Sequence, residues 1–317
     1  MQMRPLGPSG LATAPVVFGG NVFGWTIDEA QSFRVLDAFV DHGFNAIDTA
    51  DVYSAWAPGN AGGESETILG RWLAARPGMR ERVVIFTKVG SDLGTPGQKG
   101  LSRRWIAEAA EASLRRLGTD RIDLYFSHWP DETVTHEETL GAYEALIAAG
   151  KVTAIGASNY DAGLLGGALE ASGKGGLPRY AVIQPEYSLY ARDAFEGDLQ
   201  EMAAAEGIGV VTYFSLASGF LSGKYRSKAD LGQGGRGGAV EKYLDAKGGR
   251  ILAALDGVAE ETGAAPSEIA LAWLMARPGV TAPIASATKV EQVESFARAA
   301  ELRLSGAQMA ALTAAGD

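Results

Sequence analysis

Ile122-Asp123-Leu124-Tyr125-Phe126 is a short apolar run interrupted by one carboxylate, and Val152-Thr153-Ala154-Ile155-Gly156-Ala157 is the next such run along the chain. Between them lies a longer segment of helical period. A strand, a crossover helix and a second strand of this kind make one βαβ unit on a parallel sheet. Working outward, the alternation recurs, with candidate strands at 16–18, 45–47, 83–87, 122–126, 152–157, 181–183, 209–212 and 281–284. Each interval leaves room for a helix. Eight such pairs predict an α/β chain folded as a (β/α)8, or TIM, barrel. With 317 residues, nearly half of them apolar, the chain is long enough for one large core, so a single domain over 1–317 is expected.

Other local signals punctuate the same pattern. Thr26 with Glu29, Thr135 with Glu138 and Ser305 with Gln308 have the spacing of capping boxes at helix starts. Residues 3–6 and 11–14 flank Gly7-Pro8-Ser9-Gly10, which reads as an N-terminal β-hairpin able to plug one end of a barrel. Two helical segments, 250–262 and 267–276, lie between the seventh and eighth strands where a plain barrel has one, and another helix follows near the C-terminus. The glycine-dense stretch 231–249 reads either as a lid or as a passive linker.

A formal net charge of −10 argues against an electrostatic grip on nucleic acid or on an anionic membrane. The chain has no cysteine, which excludes disulfides, thiolate nucleophiles and cysteine-ligated metal. Its three histidines, His42, His128 and His136, are too scattered to suggest a metal cage, and His42 reads as a helix C-terminal cap. The opening residues lack an apolar signal core and no stretch is long enough to span a bilayer, so a cytoplasmic setting is expected.

The reactive face of a parallel barrel is built from the C-terminal ends of its strands. Polar residues collect there. Asp48 ends the second candidate strand and Tyr53 follows in its loop, Lys88 ends the third, and His128 comes just after the fourth. Ser158 and Asn159 close the fifth, Gln184 the sixth and Tyr213 the seventh, while Ser286 to Lys289 follow the eighth. Singly, each suits an ordinary cap or loop residue; together at one rim they form a candidate site. A free tyrosine titrates near pKa ~10, and an adjacent ammonium such as Lys88 is expected to lower that value. Asp48 would keep Lys88 charged in an apolar mouth, and His128 would orient a substrate oxygen toward the phenol.

These residues resemble the aldo-keto reductases over nearly the whole chain. Four blocks carry the likeness. Asp48-Thr49-Ala50-Asp51-Val52-Tyr53 is similar to the family's aspartate and tyrosine block, and Phe86-Thr87-Lys88-Val89-Gly90 to its lysine strand. The block 113–128, ending Leu124-Tyr125-Phe126-Ser127-His128, resembles the signature of the catalytic histidine. The fourth, 150–159, ends in Ser158-Asn159, which the resemblance assigns to the nicotinamide carboxamide. It implies hydride transfer between a nicotinamide and a carbonyl or alcohol substrate, with Tyr53 moving the proton.

By the same likeness Gln184 binds the carboxamide and Tyr213 stacks under the nicotinamide, although Tyr213 alone reads as a plain strand-end aromatic. Ser215, Leu216, Ser218, Gly219 and Lys224 resemble the pyrophosphate loop. Ser286, Thr288, Lys289 and Gln292 resemble the site of an adenosine 2′-phosphate, which favours NADPH and leaves NADH open. Thr288 stands where many relatives carry arginine, Phe296 where they carry asparagine, and Ser54 to Gly62 lengthen the loop after the tyrosine. Phe23, Trp25, Trp56, Trp129 and Tyr190 fall in rim loops, either walling a pocket for bulky, weakly charged carbonyls or packing the loops together. Two rival readings stand beside this one. One makes Lys88 a Schiff-base nucleophile, which a neighbouring Asp48 disfavours; the other is a regulatory subunit that binds NADPH, as some relatives associated with ion channels do.

Overall fold

The computed structural model describes residues 1–233 and 237–317. It opens with β1 (Arg4–Pro5) and β2 (Ala12–Thr13), paired antiparallel with Arg4 opposite Thr13. There follow β3 (Val17–Gly19), α1 (Glu29–Asp41), β4 (Ala46–Asp48), α2 (Glu64–Ala74), β5 (Val84–Val89) and α3 (Arg103–Leu117). The alternation continues through β6 (Ile122–Ser127), α4 (His136–Ala148), β7 (Val152–Ser158), α5 (Ala162–Gly175), β8 (Val182–Gln184), α6 (Asp198–Ala205) and β9 (Gly209–Thr212). A longer stretch with α7 (Gly237–Val240), α8 (Ala246–Thr262) and α9 (Pro266–Ala276) leads to β10 (Ala282–Ala285), α10 (Val290–Glu301) and α11 (Gly306–Ala315). Strands β3 to β10 pair in parallel, and β10 returns to β3, so the sheet closes. This is the TIM barrel, with the hairpin and additional helices expected.

Alternation along each strand separates two apolar layers. Leu124 and Phe126 join Val17, Phe86, Val182 and Val211 inside the barrel, while Tyr125 between them belongs to the layer beneath the helices. Gly156 on β7 makes room for the inner layer, since a Cβ there would stand 2.4 Å from the Phe126 ring. The carboxylate that interrupts β6 is satisfied: Asp123 accepts from the Ile85 N–H at 2.7 Å and pairs with Arg80 at 2.9 Å. The hairpin closes the N-terminal end. Leu6 is buried in the inner layer, and Gly7, at φ +54, comes so near the strand ends that a Cβ would lie 2.3 Å from the Ala181 carbonyl oxygen.

Helix starts differ from the sequence expectation in two places. Asp28, not Thr26, caps α1 by accepting from the Gln31 N–H at 2.8 Å, because the helix begins two residues later than the Thr26 spacing implied. Thr135 does cap α4, but Glu138 turns away to accept from the Arg103 N–H, so only half of that box forms. Ser305 and Gln308 form the full box at α11, and His42 is the C-cap of α1. Within 231–249, residues 234–236 lie outside the described residues. Further along the same stretch Tyr243 is buried and stacks on Phe220 with ring centres 5.6 Å apart, and α8 has already begun at Ala246. This part is a packed strap rather than a loose linker. Among the described residues no helix is long and apolar enough to cross a membrane.

Candidate active site

Asp48 is the last residue of β4, Lys88 the penultimate residue of β5, and His128 follows β6, so the barrel itself sets these three side chains on one rim. Tyr53 reaches them from the loop after β4. That loop is held in place by Ser54, which sits at φ 75 and donates its hydroxyl to the Phe23 carbonyl oxygen at 2.6 Å. Asn60 then donates to the carbonyl oxygens of Gly24 and Ser54 at 2.9 and 3.1 Å.

The four residues meet closely. Lys88 Nζ donates to Asp48 Oδ2 at 2.7 Å, to Tyr53 Oη at 2.8 Å and to the Thr49 carbonyl oxygen at 2.9 Å. Tyr53 in turn donates its hydroxyl to Asp48 Oδ2 at 3.0 Å. Three acceptors use the three N–H bonds of an ammonium, which leaves no lone pair for a Schiff base. The His128 ring lies 6.0 Å from the Tyr53 ring, centre to centre, and its Nδ1 is 2.9 Å from Ser91 Oγ.

Burial dominates the titration of Lys88, His128 and Tyr53. It lowers the Lys88 pKa, against the opposing pull of Asp48, and it holds His128 well below the ordinary histidine value, with Lys88 adding to the effect. Tyr53 departs from expectation. Its pKa is raised well above the free value by burial first and by the negative Asp48 second, so the neighbouring ammonium does not make the resting phenol acidic.

From this rim a cleft of about 980 Å³ runs across the barrel mouth. Asp48, Tyr53, Trp56, His128 and Trp129 line one end, and Ser158, Asn159, Gln184 and Tyr213 its middle. The middle residues are linked. Asn159 at φ 61 donates to the His128 carbonyl oxygen at 2.8 Å and accepts from the Tyr213 hydroxyl at 2.6 Å. Ser158 donates to the Gln184 carbonyl oxygen at 2.9 Å, and Gln184 Nε2 donates to Asp48 Oδ1 at 3.0 Å.

Beyond them the cleft passes Ser215, Leu216, Ser218, Gly219 and Lys224 and ends at Ser286, Thr288, Lys289 and Gln292. Phe214, Ala217 and Ser218 all adopt positive φ, a costly backbone for non-glycine residues that fixes the turn after β9. At the far end Lys289 is the N-cap of α10 with no side-chain cap, so the first-turn N–H groups lack that partner. Small residues along the middle and a cation with an uncapped helix start at the end are a donor set that fits a phosphorylated dinucleotide.

A family model described as the Aldo/keto reductase family matches residues 15–317. The chain belongs to this family. Aldo-keto reductases are oxidoreductases that generally use NAD(P)H and act on small carbonyl compounds. The chain is 71% identical over 93 residues to an uncharacterized 11.2 kDa protein in the crtE 3′ region of Pseudescherichia vulneris, covering 29% of this chain and 90% of that one. It is 34% identical to the uncharacterized oxidoreductase YrpG of Bacillus subtilis, over 96% of this chain and 92% of the relative. A probable voltage-gated potassium channel subunit beta of Arabidopsis thaliana is 33% identical, over 95% and 92%.

Within this aldo-keto reductase, three rim aromatics sit elsewhere than a pocket reading placed them. Phe23 is fully buried and stacks on Phe18, so it belongs to the core. Trp25 backs Trp56 edge-on at 5.6 Å without lining the cleft. Tyr190 turns away to donate its hydroxyl to Asp245 at 2.8 Å and to pack on Tyr243, tying the loop after β8 to the strap. Conversely, Asn21, Ser91 and Phe214 line the cleft and were not singled out from sequence. Ser91 had a signal, a hydroxyl just past the lysine strand. Asn21, which accepts from the Ser286 hydroxyl at 2.6 Å, had none, because the contact joins opposite ends of the chain.

Proposed function

We propose that the chain is an NADPH-dependent carbonyl reductase, a single catalytic domain over 1–317 that interconverts an aldehyde or ketone and its alcohol, with Tyr53 as proton donor and acceptor. The observation that carries this reading is the Tyr53 hydroxyl set between Lys88 and Asp48 on the wall of the long cleft. When bound, the nicotinamide would supply hydride to the carbonyl carbon. Ser158, Asn159 and Gln184 would hold its carboxamide and Tyr213 its ring. Ser215, Leu216, Ser218, Gly219 and Lys224 would take the pyrophosphate. Ser286, Thr288, Lys289 and Gln292 would take the 2′-phosphate, which makes NADH the poorer ligand.

The raised pKa of Tyr53 suits a donor in the reducing direction. Burial keeps the phenol protonated at neutral pH, and an alkoxide forming beside it is more basic than the phenolate that remains. Lys88, 2.8 Å away, stabilises that phenolate, and Asp48 keeps the buried lysine charged. His128 stays neutral, with Nδ1 engaged by Ser91, and offers its other ring nitrogen to the substrate oxygen. Trp56 and Trp129, each 49% exposed at the mouth, suit a bulky, weakly charged substrate. A cytoplasmic setting is part of the same proposal.

Reduction of aromatic aldehydes and ketones, followed through NADPH absorbance, tests the reading. Tyr53→Phe is expected to keep cofactor binding, seen by fluorescence quenching, while turnover falls by at least roughly 100-fold, the scale of a lost general acid. Near-normal turnover of that variant removes Tyr53 from its role. Tight NADPH binding with negligible wild-type turnover supports instead a regulatory NADPH-binding subunit, the description printed for the Arabidopsis relative being that of a channel subunit.

A further inference from the structure

Asp48 has two oxygens, and the structure gives them different work. Oδ2 takes both Lys88 and Tyr53, whereas Oδ1 takes Gln184 Nε2 at 3.0 Å. Among the described residues Gln184 is the one side-chain donor to Oδ1. The contact crosses the barrel: β8 lies four strands from β4 by way of β5, β6 and β7, and four by way of β3, β10 and β9. A bond between diametrically opposed strand ends is no accident of neighbouring residues. Its members are buried, with Asp48, Lys88 and Gln184 each at 2% exposure or less.

The orientation of the amide follows from chemistry. An ionised carboxylate only accepts, so the Gln184 NH2 must face Asp48 and its oxygen must face the cleft that it lines. Gln184 is itself held from below, where its carbonyl oxygen accepts the Ser158 hydroxyl at 2.9 Å. A carboxylate gripped at one oxygen alone can turn about its Cβ–Cγ bond and exchange the two. One gripped from the far wall cannot.

We propose that Gln184 is a positioning residue for Asp48, holding its second oxygen so that Lys88 and Tyr53 converge on the first. This names a role within the site proposed above and rests on that reading only for its catalytic meaning. The other titratable groups facing Tyr53 and Lys88 are His128 after β6, Tyr213 after β9, and Asp51 and Glu66 behind the strand ends, with Arg116 beside those two carboxylates. None of them donates to Oδ1, so the contribution of Gln184 is separable from theirs.

Without the Gln184 N–H, the charge of Asp48 is shared less and the Tyr53 proton is held more tightly. The protein labelled with 3-fluorotyrosine and free of cofactor and substrate reads this directly, the resonance of residue 53 being the one that Tyr53→Phe removes. In Gln184→Met its titration midpoint is expected to rise by about half a pH unit or more, the effect of one ordinary hydrogen bond on a charged partner. If Gln184→Met does not fold, Gln184→Leu asks the same question, because it too removes the donor to Oδ1 without adding a charge. An unchanged midpoint in a folded variant, judged by an unaltered near-ultraviolet circular dichroism spectrum, overturns the proposal. Because the titration needs neither cofactor nor substrate, it stands or falls apart from the reductase reading.

Discussion

The ammonium of Lys88 and the carboxylate of Asp48 lie 2.7 Å apart with side-chain exposures of 0% and 2%. Charges this deep are desolvated at a cost of several kcal/mol each, and their mutual attraction together with the bonds to Tyr53, Thr49 and Gln184 offsets it.

Removing one member alone leaves the other buried without a counter-charge. Asp48→Asn and Lys88→Met are each expected to lose about 3–5 kcal/mol of unfolding free energy, the range for breaking a buried pair. Combined in one chain the two substitutions should cost much less than the sum, since neither leaves a stranded charge. Urea unfolding at neutral pH measures all three. Single losses below about 1 kcal/mol, or simple additivity, contradict the pairing.

Asp51 leads to a prediction about pH. Its side chain is buried, and burial followed by repulsion from Glu66 holds its pKa well above the ordinary value of 3.8, with Arg116, the Val52 N–H and Lys88 opposing only in part. The folded pKa is therefore higher than the unfolded one. Such a group contributes stability that is fully present below pH 3.8 and is lost as pH rises through the folded value. Asp51→Asn has no such proton to lose, so its stability relative to the parent chain should improve as pH rises above 3.8 and level off once the folded value is passed. Paired urea melts across that interval check it. A constant difference between the two proteins means that Asp51 does not titrate differently on folding.

The barrel was legible because βαβ units repeat at close range: each apolar run and the helix after it can be read from local period. Strand ends were less so. The apolar runs end at Ile47, Ala157 and Ile183, one residue short of the ends of β4, β7 and β8, since Asp48, Ser158 and Gln184 are polar although they still belong to the ladder. The error is instructive, for these are the side chains that turn into the cleft. Asp48, Tyr53, Lys88 and His128 were found from their places at strand ends and in family blocks. The bond from Gln184 to Asp48 was not, because nothing in either segment encodes the register of the opposite wall. The fate of Tyr190 was missed for the same reason, its partner Asp245 lying in the strap before α8.

The far end of the cleft decides between the two nicotinamide cofactors. Lys289 has an extended backbone, φ −143 and ψ 153, and starts the 12-residue α10 with no side chain capping it. Thr288 meanwhile gives its N–H to Gln292 Oε1 at 2.7 Å, and the Ser286 hydroxyl is engaged by Asn21 at 2.6 Å. Lys289 is thus the cation that this end contributes, while Lys224 stands at the loop after β9. A 2′-phosphate would meet Lys289 and the positive end of α10, whereas a bare ribose hydroxyl gains little from either. Lys289→Ala should weaken NADPH binding roughly 10- to 100-fold, the worth of one charge-assisted hydrogen bond, and leave NADH within about a factor of two. Fluorescence titration with both cofactors makes the comparison. Equal losses place the phosphate away from Lys289; a loss confined to NADPH and diminishing as salt is added is the pattern that a partly exposed ion pair requires.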